Sequence, residues 1–106
     1  MYSFEDYKKD LNVMIDYLKQ EIIVRKNNNG YNYQLIENTI LPEFENLLNF
    51  AEKGYIYTYN GRKELESVRI CMWDGFEQEF CNKLINFQEK YSKLNVFSGG
   101  KIYKAK

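Results

Sequence analysis

The sequence predicts a mainly α fold: a small helical bundle of three helices, at about 3–26, 42–53 and 62–94, with a short Tyr-rich extended segment at 55–59. Three observations lead to this prediction. Apolar residues recur at helical spacing over most of the chain. Glycines and Asn-rich stretches stand where those runs end. Finally, 106 residues, of which 44% are hydrophobic, suffice for one domain with its own core.

The first helix is predicted over residues 3–26, where apolar residues recur every three or four positions. Ser3 and Asp6 have the spacing of a capping box, in which each side chain accepts a hydrogen bond from the other residue's backbone N–H. Arg25 and Lys26 suit the negative end of the helix dipole. The Asn-rich segment 27–30, which ends in glycine, is expected to stop the helix.

The second helical pattern covers residues 33–53 and passes through Pro42. Proline lacks a backbone N–H and disfavours the α conformation of the residue before it, here Leu41. We favour a helix at about 42–53 that follows a looser turn, with proline in its first turn. A single helix kinked at the proline is the alternative, and Gly54 is the expected stop in both.

The third helix is predicted at about 62–94 because nine apolar residues follow one another in steps of three or four. We call these nine residues the apolar stripe: Leu65, Val68, Met72, Phe76, Phe80, Leu84, Phe87, Tyr91 and Leu94. Asn60 would be the N-cap of this helix. A break near Asp74 would open an alternative α+β fold, in which Asn60 and Gly61 turn a hairpin over residues 55–72 that packs on helices.

We expect residues 1–106 to form a single globular domain, with 95–106 as a loose tail or small hairpin. The start of the chain is charged and lacks the apolar core of a signal peptide, and no apolar run is long enough for a membrane span. The expected compartment is therefore the cytoplasm, without a membrane partner. There Cys71 and Cys81 are expected to be reduced, small buried residues.

The residue types present argue against an enzyme. The chain has no His, so neither a Ser-His nor a Cys-His pair can form, and a zinc site would lack its usual ligands. The glycines match no phosphate-binding loop. Glu43 and Glu45 are two positions apart and do not share a helix face, so we interpret the acidic residues as solvated. We predict a non-enzymatic protein with no catalytic residue, no cofactor and no metal.

The strongest candidate for a functional surface is the segment YIYTY. In a strand Tyr55, Tyr57 and Tyr59 share one face, and Ile56 and Thr58 share the other. If Ile56 enters the core, three phenol rings face outward together. Tyrosines in such a position either cover the core or bind a partner, and both interpretations stay open.

Three further aromatic residues are candidate partner-binding residues. Tyr31 and Tyr33 alternate in the segment GYNYQ, and Trp73 is the only tryptophan. Trp73 is either half-buried over a bend or an interface anchor, since exposed Trp and Tyr dominate binding hot spots.

Three functions are considered from these residues. The first is binding to another protein, as an inhibitor from a bacterium or phage of the anti-CRISPR, antitoxin or immunity type. Small chains of this kind in bacteria and phages are often inhibitors, and the richness in Asn, Lys, Tyr and Ile indicates an AT-rich coding genome such as that of a low-GC bacterium or its phage. The second is a nucleic-acid-binding regulator that uses Tyr stacking with Arg62, Lys63 and Arg69, although the net charge of zero leaves no broad basic surface. The third is self-assembly as a homodimer through the helix at 62–94.

Overall fold

The computed structural model describes residues 1–28, 30, 32–95 and 97–106. These residues form a mainly helical structure with one small sheet, which confirms the predicted fold class. In chain order the elements are α1 (Phe4–Asn27), α2 (Tyr33–Leu35), a π-helical turn (Ile36–Ile40), α3 (Leu41–Glu52), β1 (Tyr55–Tyr59), α4 (Glu66–Trp73), α5 (Gln78–Ser92) and β2 (Lys101–Ala105).

Helix α1 begins at the predicted capping box. The Ser3 hydroxyl accepts a hydrogen bond from the Asp6 N–H at 3.1 Å, and the Asp6 carboxylate accepts one from the Ser3 N–H at 3.3 Å. The six apolar residues whose spacing predicted this helix are all buried: Phe4, Tyr7, Leu11, Met14, Leu18 and Ile22. The helix ends at Asn27, inside the predicted Asn-rich stop.

Helix α3 matches the helix predicted at 42–53 to within one residue at each end. The looser turn expected before it is the π-helical turn, in which the Leu41 N–H bonds to the Ile36 carbonyl, five residues back. This wider turn makes room for the ring of Pro42, so Leu41 keeps an α conformation with φ −58° and ψ −46°. The chain is therefore helical on both sides of the proline.

The prediction of one long helix at 62–94 is wrong. Helix α4 ends at Trp73 and α5 begins at Gln78, with Gly75 at φ +73° in the bend between them. The bend comprises residues 74–77, which is close to the number of residues in one helical turn. The apolar stripe therefore keeps its spacing through the bend, and periodicity alone does not detect the bend.

The alternative prediction, a hairpin over 55–72, is also wrong: the structure has its turn at Asn60 and Gly61 but not its second strand. Asn60 and Gly61 both have positive φ, 56° and 85°, and Tyr59 pairs with Arg62 in an antiparallel bridge. Asn60 is thus the corner of a tight turn of the Asn-Gly kind and not a helix N-cap. After Arg62 the chain does not continue as a strand, because α4 occupies most of the segment expected to pair.

The C-terminal residues form β2, which differs from the loose tail or hairpin expected at 95–106. Strand β2 pairs with β1 in parallel, with Tyr55 beside Lys101, Tyr57 beside Tyr103 and Tyr59 beside Ala105. The chain reaches this position through α4 and α5, since a parallel pair needs a long crossover. A local sequence pattern carries no information about a partner strand so far along the chain.

The two cysteines are joined in a disulfide, which contradicts the expectation of reduced thiols. The bend between α4 and α5 brings the Cα atoms of Cys71 and Cys81 to 5.6 Å from each other. Ten residues of straight helix would have separated them by about 15 Å. Both cysteines are buried, as predicted.

The core lies between α1, α3, α5 and the inner face of β1. Eight of the nine residues of the apolar stripe are buried in this core, and Met72 is the exception, at 67% exposure. The stripe is therefore used within the chain and offers no continuous face for a second copy. None of the helices in the described part of the chain is both long and apolar enough to cross a membrane.

Candidate functional site

Strand β1 presents its tyrosines outward, as the alternation in the sequence predicts. Ile56 and Thr58 are fully buried, at 0% and 1% exposure, and both point into the core. Tyr55 and Tyr59 are exposed at the two ends of the strand, and Tyr57 is half-buried between them. The core thus fixes which face of β1 reaches the surface.

Two more aromatic residues complete this surface, which we call the aromatic face: Phe50, Tyr55, Tyr57, Tyr59 and Tyr103. The ring of Tyr57 stacks on that of Tyr103, with centroids 5.6 Å apart and planes 18° apart. Phe50, from α3, lies 4.7 Å from the Tyr57 ring and 4.6 Å from the Tyr103 ring. The outward faces of β1 and β2 therefore carry one connected cluster of rings.

Sequence reasoning missed Phe50 and gave Tyr103 no binding role. Tyr103 belongs to the alternating segment KIYKA, which is a weak strand signal, but only the parallel pairing places it beside Tyr57. Phe50 lies on α3, within the helix predicted at 42–53. No local signal marks either residue as part of the surface.

Hydrogen bonds from the core hold the backbone beneath the aromatic face. The Tyr91 hydroxyl, from α5, donates to the Tyr57 carbonyl. The Thr58 hydroxyl donates to the Tyr103 carbonyl at 2.8 Å and accepts from the Gly61 N–H at 3.2 Å. The backbone beneath the rings is thus held by hydrogen bonds on both strands, so little conformational entropy is lost when a partner binds.

Tyr59 is hydrogen-bonded to the buried carboxylate of Glu43. Its hydroxyl donates to Glu43 at 3.1 Å, and Glu43 also accepts from the backbone N–H groups of Glu66 and Ser67, at 2.9 and 2.8 Å, and from the Ser67 hydroxyl. Burial and the Glu43 charge together raise the pKa of Tyr59 far above its usual value. Glu43 therefore caps the first turn of α4 from another helix. Our interpretation of Glu43 as a solvated residue is wrong.

A groove of about 550 Å³ begins at Tyr59 and extends to Trp73. It is lined by residues of the Asn-Gly turn, α4 and the end of β2, among them Tyr59, Arg62, Leu65, Met72, Trp73 and Lys106. Trp73 is 80% exposed, so it does not cover the bend as a half-buried residue would. The groove joins two sites that sequence reasoning treated separately, the tyrosines of β1 and the single tryptophan.

The structure does not bring Tyr33 to the aromatic face. Tyr33 opens α2 and lies beside the last turn of α1, where the Lys26 ammonium is 5.4 Å from the centre of its ring. Just before it, the Asn32 side chain donates to the Asp74 carbonyl at 3.3 Å, which places this segment near the bend that follows Trp73. Tyr31, the other candidate in this segment, lies outside the described residues.

The basic residues proposed for nucleic-acid binding are partly engaged within the chain. The Lys63 ammonium donates to the Leu94 carbonyl at 2.6 Å, and Arg69 lies 3.4 Å from the Glu66 carboxylate. Strand β2 supplies other cations instead, because Lys101 and Lys104 are exposed on it and Lys106 follows it. None of these three lysines forms an ion pair with a residue that the structure describes.

Among the described residues, no three His, Cys, Asp or Glu side chains are grouped as metal ligands would be. Comparison of the chain with family models, curated proteins and solved structures finds no match.

Proposed function

We propose that the protein acts by binding another protein through the aromatic face and the adjoining groove. The observation that carries the proposal is the cluster of Tyr55, Tyr57, Tyr59 and Tyr103, whose rings lie outward on the two paired strands. Hydrogen bonds from the core hold the backbone of these strands. Tyr and Trp are enriched in protein interfaces because they offer a large, rigid contact area with a polar tip.

The chemistry of the side chains supports binding rather than catalysis. The chain has no His, and its two cysteines are joined in a disulfide, so neither can serve as a nucleophile while that bond is intact. The buried carboxylate of Glu43 is saturated by hydrogen bonds from neighbouring groups. We therefore retain a non-enzymatic role as part of the proposal.

The finer assignment is an inhibitor of the bacterial or phage type, of the anti-CRISPR, antitoxin or immunity class. It rests on the small size, zero net charge and aromatic surplus of the chain. The proposed compartment is the cytoplasm, and the disulfide is the observation against it, because the cytosol keeps most thiols reduced. The redox state of Cys71 and Cys81 in freshly lysed cells tests the compartment.

The proposal is tested with surface variants that leave the core intact. Tyr55→Ala and Trp73→Ala remove exposed rings. Phe97→Ala is the control, because it removes a ring outside the sheet that is 82% exposed, against 80% for Trp73. A tagged wild-type chain first captures a partner from lysate, with nuclease and high-salt washes. We expect each of the first two variants to bind that partner more than about tenfold more weakly, with unchanged helicity by circular dichroism.

The opposite result is equally clear. If Tyr55→Ala and Trp73→Ala bind as tightly as Phe97→Ala, the aromatic face is not the contact surface. If either variant unfolds, the aromatic residue covers the core and does not form an interface.

Nucleic-acid binding is the second candidate, because β2 brings Lys101 and Lys104 to the edge of a tyrosine surface. Proteins that bind single-stranded nucleic acid combine cations with aromatic rings on which the bases stack. Against it, the rings of Tyr57 and Tyr103 already stack on each other. A steep fall of affinity with salt, and loss of the partner on nuclease treatment, would favour this candidate over the first.

A further inference from the structure

The two strands of the sheet differ in how their outer edges are used. In β1 the Tyr57 carbonyl accepts a hydrogen bond from the Tyr91 hydroxyl. The Tyr59 N–H donates to the Arg62 carbonyl, and the Tyr59 carbonyl accepts from the Arg62 N–H, each at 3.0 Å. These groups all point away from β2, so the outer edge of β1 is already occupied from the Tyr57 carbonyl to the end of the strand.

The outer edge of β2 is open. The Lys101 N–H bonds to the Gly54 carbonyl at 2.9 Å, and the Ala105 carbonyl accepts from the Asn60 N–H at 2.6 Å. Backbone groups of successive strand residues point to alternate edges, so those of Ile102 and Lys104 point away from β1. No residue in the described ranges bonds to the backbone of Ile102 or Lys104 on that side.

We propose that this open edge of β2 binds an extended acidic segment of the partner protein, which adds a third strand to the sheet. The inference rests on the proposed function and specifies the chemistry of the partner. An exposed edge supplies alternating N–H and C=O groups that only another peptide backbone matches. A phosphodiester backbone can accept hydrogen bonds but has no N–H to donate to the carbonyls of Ile102 and Lys104.

The charge of the edge identifies the segment as acidic. Lys101, Lys104 and Lys106 form no ion pair with the described residues, and the sequence contains no Asp or Glu after Glu89. A second copy of the chain is a poor occupant, because pairing two β2 strands would bring six lysines close together. Acidic side chains on an added strand would instead lie beside these lysines.

The positions of the lysines also predict the spacing of the acids. Lys101 and Lys104 are three residues apart and point to opposite faces of the sheet. Side chains that are neighbours across a strand pair share a face. The segment should therefore carry two acidic residues three positions apart, with an aromatic or β-branched residue between them to pack beside Tyr103.

The test is a selection of random twelve-residue peptides displayed on phage, with the folded wild-type chain as target. We expect enrichment of acidic pairs at that spacing. A synthetic, fluorescein-labelled copy of the most enriched peptide is then titrated against Lys104→Pro and Lys104→Ala. Both variants lose the charge, but only proline also removes the outward N–H, and neither disturbs a hydrogen bond to β1.

We expect binding to weaken about threefold in Lys104→Ala and by a further factor of about ten in Lys104→Pro. Equal affinity of the two variants, or enrichment of peptides without acids, would overturn the inference. Because the proline variant could fail to fold, amide hydrogen exchange of the wild type is the second measurement. The peptide should slow exchange at Ile102 and Lys104, and unchanged exchange there would also overturn the inference.

The same peptide separates this inference from the proposed function. If Tyr55→Ala weakens binding of the peptide but Lys104→Pro does not differ from Lys104→Ala, the aromatic face is a binding surface and the edge is not. If selection instead yields no peptide and the chain binds labelled oligothymidylate, both proposals fail in favour of nucleic acid.

Discussion

Two buried tyrosines, Tyr7 and Tyr91, stack with ring centroids 5.6 Å apart, yet their hydroxyl groups differ. The Tyr91 hydroxyl donates to the Tyr57 carbonyl, whereas that of Tyr7 has no hydrogen-bond partner among the described residues. An unbonded buried hydroxyl is destabilising by about 1–3 kcal/mol. Tyr7→Phe is therefore expected to raise the free energy of unfolding by about 1 kcal/mol, and Tyr91→Phe to lower it by about 1 kcal/mol.

Urea denaturation of both variants beside the wild type measures the two changes. The pair is its own control, because each variant removes one oxygen atom from the same stack of rings. A loss of stability in Tyr7→Phe equal to that in Tyr91→Phe would mean that the Tyr7 hydroxyl is hydrogen-bonded in solution. The sequence predicted that both residues face the core, but the bonding of their hydroxyls depends on neighbours from other elements.

At the scale of the elements, the disulfide fixes the bend between α4 and α5. Its cysteines are ten residues apart, and closing a loop of this size stabilises the folded state by about 2–3 kcal/mol. We expect the double variant Cys71→Ala, Cys81→Ala to lose about that much free energy of unfolding and to keep its helices. Alanine is chosen because serine would bury two hydroxyl groups.

Guanidinium denaturation with and without a reducing agent provides the measurement. Reductant should lower the stability of the wild type to near that of the double variant and leave the variant unchanged. If reductant has no effect on a wild type whose thiols are shown to be free, the bend is held by packing alone and the disulfide contributes no stability.

The helices were largely predictable from the sequence, and their ends and bends were less so. The capping box at Ser3, the face from Phe4 to Ile22 and the strand at 55–59 all follow from local patterns, and the structure has each of them. The break near Asp74, which the structure has at Gly75, was only the alternative to one long helix because the apolar stripe keeps its spacing across it. Asn60 was misassigned because an Asn-Gly pair is a good turn and asparagine is also a good helix cap.

At the scale of the whole molecule, the burial of Glu43 and the extent of the aromatic face depend on contacts between distant parts of the chain, and sequence reasoning missed both. Glu43 is buried because α4 and Tyr59 supply its hydrogen bonds. Tyr103 joins the aromatic face because β2 returns to β1 after α4 and α5. The outward tyrosines of β1 were predictable, but the surface they form with Phe50 and Tyr103 was not, since its parts come from three elements.

The dependence of β1 on β2 gives the last prediction. Removal of residues 101–106 leaves the backbone of Gly54, Ile56, Thr58 and Asn60 without its ladder partners and uncovers part of the core beside Ile102. We expect the truncated chain to keep its helices but to lose at least about 3 kcal/mol of unfolding free energy. The near-ultraviolet signal of the stacked tyrosines should fall with it.

Removal of Lys106 alone is the matched control, because this residue lies beyond β2 and should leave stability unchanged. Far- and near-ultraviolet circular dichroism through a urea titration measure both truncations. If the chain that ends at Gly100 unfolds at the same urea concentration as the full chain, β2 is not part of the cooperatively folded unit. In that case the ring of Tyr103 would not be held against that of Tyr57. The aromatic face would then be ordered only when a bound protein holds β2 in place.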